Sequence, residues 1–88
     1  MFLTAREQHA ASGRRLRQII EAAELSYVDA AQIMGISKSN LGNWMRGDAP
    51  IGAYALYRFC LQTGATADWI LLGIPAGLPQ RLLQRLKP

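Results

Sequence analysis

An all-α bundle of four to six short helices is what the sequence predicts, on three observations. Apolar residues recur at helical spacing in successive segments, Ser or Thr stands just ahead of several of those segments, and Gly follows them. No strand-like alternation rises above noise. Taken in order, Thr4-Ala5-Arg6-Glu7 reads as a capping box, so a first helix begins near Ala5. Leu16, Ile19, Ile20 and Ala23 give that helix a stripe for the core. Ser12-Gly13 interrupts it, which leaves residues 1–12 either as the front of one long helix or as an N-terminal extension ahead of a helix from Gly13. Leu25 closes the turn, and Ser26 caps a second helix with Asp29 near its positive end.

In that second helix Tyr27, Ala30, Ala31 and Met34 fall at i, i+3, i+4 and i+7, the spacing of one buried face. Gly35 suits the left-handed conformation that ends a helix, and Ile36 suits an apolar plug folded back on it. Ser37 offers a cap for a third helix, Lys38 to Arg46, and Gly47 stops it. So short a connection makes the two helices cross steeply, which is a helix-turn-helix. The third helix should bury Leu41, Trp44 and Met45. Ser39, Gly42, Asn43 and Arg46 remain on its other face, small or hydrogen-bonding residues suited to base edges and ill-suited to a core.

Asp48-Ala49-Pro50 reads as a loop, with Pro50 fit for the first turn of a fourth helix running to about Thr63 and stopped by Gly64. That helix is apolar nearly all round, with Arg58 and Gln62 as its one clear polar stripe. A monomer core needs one face, so the surplus suggests a partner surface. Thr66 should cap a fifth helix through Leu72. Gly73, Pro75, Gly77 and Pro79 then punctuate a turn-rich link, and Gln80 to Lys87 suits a final turn or two. Leu78, Leu82 and Leu86, spaced by four, and Leu83 beside them can pack on their own domain or on a second copy, with the second reading preferred.

Composition bounds the function. The 88 residues are enough for one domain, and half of them are hydrophobic, so disorder is not expected. No apolar stretch nears the ~18 residues a membrane helix needs. Arg6 and Glu7 follow the first residues at once, so no signal peptide is expected. The single Cys60 has no internal disulfide partner, and no Cys/His cluster suits a metal. The expectation is a soluble cytosolic protein without cofactor. Ten Lys and Arg against six Asp and Glu give a net charge of +4, which favours a polyanionic partner without establishing one.

The pattern Ala31-x-x-x-Gly35-Ile36-Ser37-x-x-x-Leu41-x-x-Trp44-x-x-Gly47 resembles the helix-turn-helix of the Xre and Cro-repressor-type regulators. That family shares the all-helical fold of the lambda phage repressor's DNA-binding domain. Gly13-x-Arg15-Leu16-Arg17 upstream and Asp68-Trp69-Ile70-Leu71-Leu72-Gly73 downstream extend the likeness over residues 13–73. Residues 74–88 then form a tail with a short amphipathic helix, a candidate dimerisation element.

The resemblance implies a sequence-specific regulator that binds double-stranded DNA as a homodimer on a near-palindromic operator. A small phage or prophage repressor, or an autoregulator, fits best, and control by a self-cleaving peptidase domain is not expected. By motif position Lys38, Ser39 and Asn43 would read bases, Lys38 at guanine and Asn43 at adenine. Ser26, Tyr27, Ser37, Asn40 and Arg46 would contact phosphate. Tyr54, Tyr57, Leu61, Leu78, Leu82 and Leu86 are the candidate dimer interface. The chain departs from the family at Tyr27, where relatives most often carry Gln. It departs again at Met45 and Ile20, where many relatives carry an ion pair; two apolar residues there imply packing in its place.

Other residues admit plainer readings. Trp44 and Trp69 are expected in the core, His9 at the surface, and Cys60 as a small buried hydrophobe. Arg14, Arg15 and Arg17 fit a phosphate track or a solvated helix face equally. No small-molecule effector is indicated. A protein-binding adaptor or antitoxin-like partner on the same scaffold is the alternative function. The sequence offers no nucleophile–base pair, carboxylate dyad or phosphate-cradling loop, so no enzymatic activity is expected.

Overall fold

The structure, a computed structural model, describes residues 1–86. Among the described residues six helices follow one another: α1 (Ala5–Ala22), α2 (Tyr27–Met34), α3 (Lys38–Arg46), α4 (Ala53–Thr63), α5 (Asp68–Leu72) and α6 (Gln80–Leu83). No strand occurs among the described residues. Leu16, Ile19 and Ile20 of α1, Met34 of α2, Leu41 of α3, Phe59 of α4 and Ile70 of α5 meet in one core. The expected all-α class is therefore observed.

Side-chain caps start the first three helices where the sequence places them. Thr4 Oγ1 accepts from Glu7 N–H (3.2 Å) while Glu7 Oε1 accepts from Thr4 N–H (2.9 Å), a complete capping box. Ser26 and Ser37 repeat the simpler form, accepting from Asp29 N–H and Asn40 N–H at 3.0 Å each. Gly35 ends α2 at φ 73° and ψ 32°, with its N–H on Gln32 O (3.1 Å) and the Ile36 N–H on Ala31 O (3.0 Å). This pair of bonds makes the tight reversal before α3 and seats half-buried Ile36 against the core.

Helix α1 is continuous through Ser12-Gly13, so residues 5–12 form its first turns and no break separates an arm there. Gly13 is present because α3 crosses at that point. A Cβ on it would collide with Trp44 O and stand 2.7 Å from Met45 O. Ile20 is fully buried, and Met45 packs half-buried against the core.

Helix α4 begins three residues later than Pro50 suggests. The chain stays extended so that Ile51 reaches the core and Gly52 lies against Trp44, where a Cβ would sit 3.4 Å from the ring. Thr66 caps the fifth element as expected, accepting from Trp69 N–H (3.1 Å). That element is a wide π-type turn, closed by a bond from Ile74 N–H to Asp68 O (3.2 Å).

The tail requires a correction. Leu78 is 6% exposed and Leu82 1% exposed, both within the chain's own core, and Leu86 packs half-buried against it. Leu78 and Leu82 therefore offer no face to a second copy and are intramolecular, while Leu86 turns part of its side chain to the same core. Burying leucines that no other element covers is the physical reason, helped by a bond from Arg81 to the end of α4 (Nη2 to Thr63 O, 3.0 Å). The final helix ends at Leu83, and the part of its expected range at Lys87 lies outside the described residues.

Candidate nucleic-acid interface

The N-terminal turns of α2 and α3 both reach solvent behind exposed serine caps, Ser26 and Ser37. The two ends differ electrostatically. Asp29 sits in the first turn of α2 and already places a carboxylate near its positive end. The first turn of α3 carries no acid and begins with exposed Lys38, followed by exposed Ser39 and Asn40. An anion therefore meets less competition at α3. Tyr27 is half-buried, with its side chain packed against the core beside the α2 cap.

Farther along α3, two other sequence-selected residues join. Arg46 Nη2 donates to Asn43 Oδ1 (2.6 Å), and Arg46 Nε donates to Asp48 Oδ2 (3.1 Å). The Arg46 and Asp48 side chains are each 60% exposed, so the ion pair is a surface one. Gly42 makes room for this arrangement: a Cβ there would stand 3.2 Å from Arg46 Nη1. Sequence reasoning missed Asp48, read as loop, and the reason for Gly42. Their signal was an acid two residues after an Arg, with Gly four residues before it, too common a pattern to read without coordinates.

The positive charge is distributed in a way the sequence does not show. Four arginines reach across the fold to the carboxyl ends of other helices. Arg58 bonds Gln32 O at the end of α2 (3.3 Å), and Arg15 bonds Ile70 O in α5 (3.1 Å). Arg81 bonds Thr63 O at the end of α4, and Arg85 bonds Ala22 O at the end of α1 (3.5 Å) while pairing with Glu24. Cations there satisfy open carbonyls and oppose the negative helix ends. Arg15 is thus drawn to α5, with its guanidinium 6.0 Å from the Trp69 ring, while Arg14 and Arg17 stay exposed. Burial also lowers its proton affinity, with Arg14 adding repulsion. Arg6, Arg14 and Arg17 stay exposed, and their spacing sets them on α1's solvent side, flanking the Gly13 crossing with α3.

A separate apolar surface lies along α4 and α5. Tyr54, Tyr57 and Leu61 are 70%, 59% and 74% exposed, and the two tyrosine rings stack at 6.0 Å. Ala53, Tyr57, Cys60, Leu61, Ala67 and Leu71 line an open groove between the two elements. Burial raises the Cys60 thiol above its ordinary value, which keeps it protonated at neutral pH. Among the described residues no group of His, Cys, Asp and Glu suits a metal, and no helix is long and apolar enough to cross a membrane. Comparison with protein-family models, curated proteins and solved structures gave no match, so the arrangement of α2, α3 and their polar face stands on its own geometry.

Proposed function

We propose that this chain is a cytoplasmic, sequence-specific regulator that binds double-stranded DNA through α3, on a helix-turn-helix of the lambda-repressor-like kind. The supporting observation is the outward face of α3. Lys38, Ser39, Asn40, Asn43 and Arg46 project from a helix whose opposite side is anchored by buried Leu41, while Trp44 and Met45 pack half-buried against the core. A helix held by its neighbours that offers donors, acceptors and charge to solvent suits a major groove. Lys38, Ser39 and Asn43 are the base readers in this reading. Ser26, Tyr27, Ser37, Asn40 and Arg46 hold phosphate.

The regulator acts as a homodimer on a near-palindromic site, as a small repressor or autoregulator. Tyr54, Tyr57, Leu61, Leu71 and Leu72 leave roughly 600 Å² of side chain exposed at ~200 Å² for a large apolar residue. That is near the ~800 Å² per partner of a stable interface. The same surface favours the second reading, an adaptor or antitoxin-like protein that binds another protein there.

Selection of bound fragments from a random duplex library, with stepped salt, tests the proposal. A DNA-reading dimer enriches a two-fold symmetric site, and its retention falls steeply as salt rises. No retention at low salt refutes DNA binding and leaves the apolar surface as the functional one.

A further inference from the structure

Asn43, Arg46 and Asp48 form a chain of hydrogen bonds along the exposed side of α3, and its chemistry has only one polarity. A guanidinium carries donors and no acceptor, so the Asn43 atom facing Arg46 Nη2 at 2.6 Å must be the amide oxygen. The amide NH₂ is then the edge that faces away from Arg46. Asp48 fixes the other end of the guanidinium through Nε, and Gly42 lets it lie flat against the helix. Two of Arg46's five N–H groups are used, which leaves three for a phosphate.

An amide that can both accept and donate pairs with adenine, at N6 and N7. The Asn43 oxygen keeps one lone pair, but the Arg46 cation bonded to it makes it a poor acceptor for a further amino group. The NH₂ therefore dominates and disfavours the N6 amino group of adenine and the N4 amino group of cytosine. Guanine offers that NH₂ two acceptors, O6 and N7, where thymine offers only O4. We infer that Arg46, anchored by Asp48, is a positioning residue that makes Asn43 chiefly a donor to the base, selecting guanine. The inference rests on α3 being the DNA-reading helix. It reverses the adenine expected at Asn43 from the resemblance, and it makes Asp48 a determinant of specificity without contact to DNA.

The test uses the full chain and the same library selection, on wild type, Asn43→Ala, Arg46→Lys and Asp48→Ala. Asn43→Ala identifies the base position it reads as the one that loses information. At that position wild type should prefer guanine over adenine by roughly tenfold. Arg46→Lys keeps the charge but cannot bridge both neighbours. It should bind every sequence more weakly through its phosphate contact, while the preference shrinks to about twofold or shifts to adenine. Asp48→Ala should shift it in the same direction. Both replaced side chains are largely exposed, so matching thermal melts serve as the folding control. Adenine in wild type, or guanine unchanged in Arg46→Lys and Asp48→Ala, overturns the inference while DNA reading survives. Wild type that retains no duplex at any salt overturns both.

Discussion

Gly13 and Gly42 both lie inside helices, and replacing each with Ala should move stability in opposite directions. In an unhindered helix interior the change stabilises by about 1 kcal/mol. At Gly13 the new Cβ would be 2.7 Å from Met45 O and nearer still to Trp44 O, where ordinary contact begins at 3.4 Å. Helix α1 would have to retreat from α3 by at least 0.7 Å, the difference of those two distances. The obstacle is backbone and cannot swing aside. Overpacking costs about 1–3 kcal/mol, and a rigid obstacle argues for the upper end. After the propensity gain, the net loss should be about 2 kcal/mol, or about 8–16 °C in Tm for a domain of this size. At Gly42 the nearest atom is the tip of the flexible Arg46 side chain, at 3.2 Å. It can rotate away, so Gly42→Ala should raise Tm by about 4–8 °C. Thermal melts by circular dichroism, supported by urea titration, read both. A Gly13→Ala protein that melts at or above wild type would refute the close crossing of α1 and α3. A Gly42→Ala loss as large as that at Gly13 would refute the distinction between rigid and flexible obstacles.

Four further outcomes are expected. Leu82→Ala should destabilise by about 2–4 kcal/mol at every protein concentration, because Leu82 is 1% exposed in its own core. Leu61→Ser, at a site 74% exposed, should leave the dilute protein within about 0.5 kcal/mol of wild type and weaken self-association in sedimentation. A silent Leu82→Ala in dilute protein would contradict the intramolecular tail. Trp69 buries an indole N–H that finds no acceptor among the described residues. Trp69→Phe removes that unpaired donor and should cost under about 1 kcal/mol in denaturant titration, against about 3–5 kcal/mol for Trp69→Ala; equal losses would point to an acceptor. Glu7 is held below its ordinary value of 4.5, chiefly by the hydrogen bond from the Thr4 backbone. Its carboxylate therefore supports the α1 cap fully above that value, and the support disappears as pH falls through the lowered one. The Tm gap between wild type and Glu7→Gln should narrow between about pH 6 and pH 3, and a constant gap would dissociate the charge from the cap.

Much of the fold was legible because its signals are local. Thr4 reaches Glu7, Ser26 reaches Asp29 and Ser37 reaches Asn40, each three residues away, so short patterns carry them. The turn at Gly35 is equally local. Other features depend on partners far along the chain. Arg15 meets Ile70 across 55 residues and Arg85 meets Ala22 across 63, and both acceptors are backbone carbonyls that no residue type announces. A basic helix position looks the same whether it faces phosphate or a helix end, which is why Arg15 was ambiguous. Leu78 and Leu82 were misassigned for a related reason, since spacing by four marks an apolar face without naming what covers it. On the candidate interface, the residues projecting from α3 were readable by position. The orientation of the Asn43 amide was not, because it is set by Arg46 and Asp48 in three dimensions.

The arginines at the helix ends also separate two quantities that net charge alone merges. Arg15, Arg58 and Arg81 face backbone carbonyls, and the ion pairs among the described residues are Arg46–Asp48 and Arg85–Glu24. Those three guanidiniums are held close to the body yet keep their whole charge, which still contributes to the distant field. Diffusional capture of a polyanion responds to that field, whereas the salt slope of the equilibrium constant counts the cations that touch phosphate. On the proposed DNA-binding reading, association should therefore be faster than the number of phosphate contacts suggests. Its rate should depend on salt through more cations than dissociation does, and stopped-flow measurements across ionic strength would resolve the two.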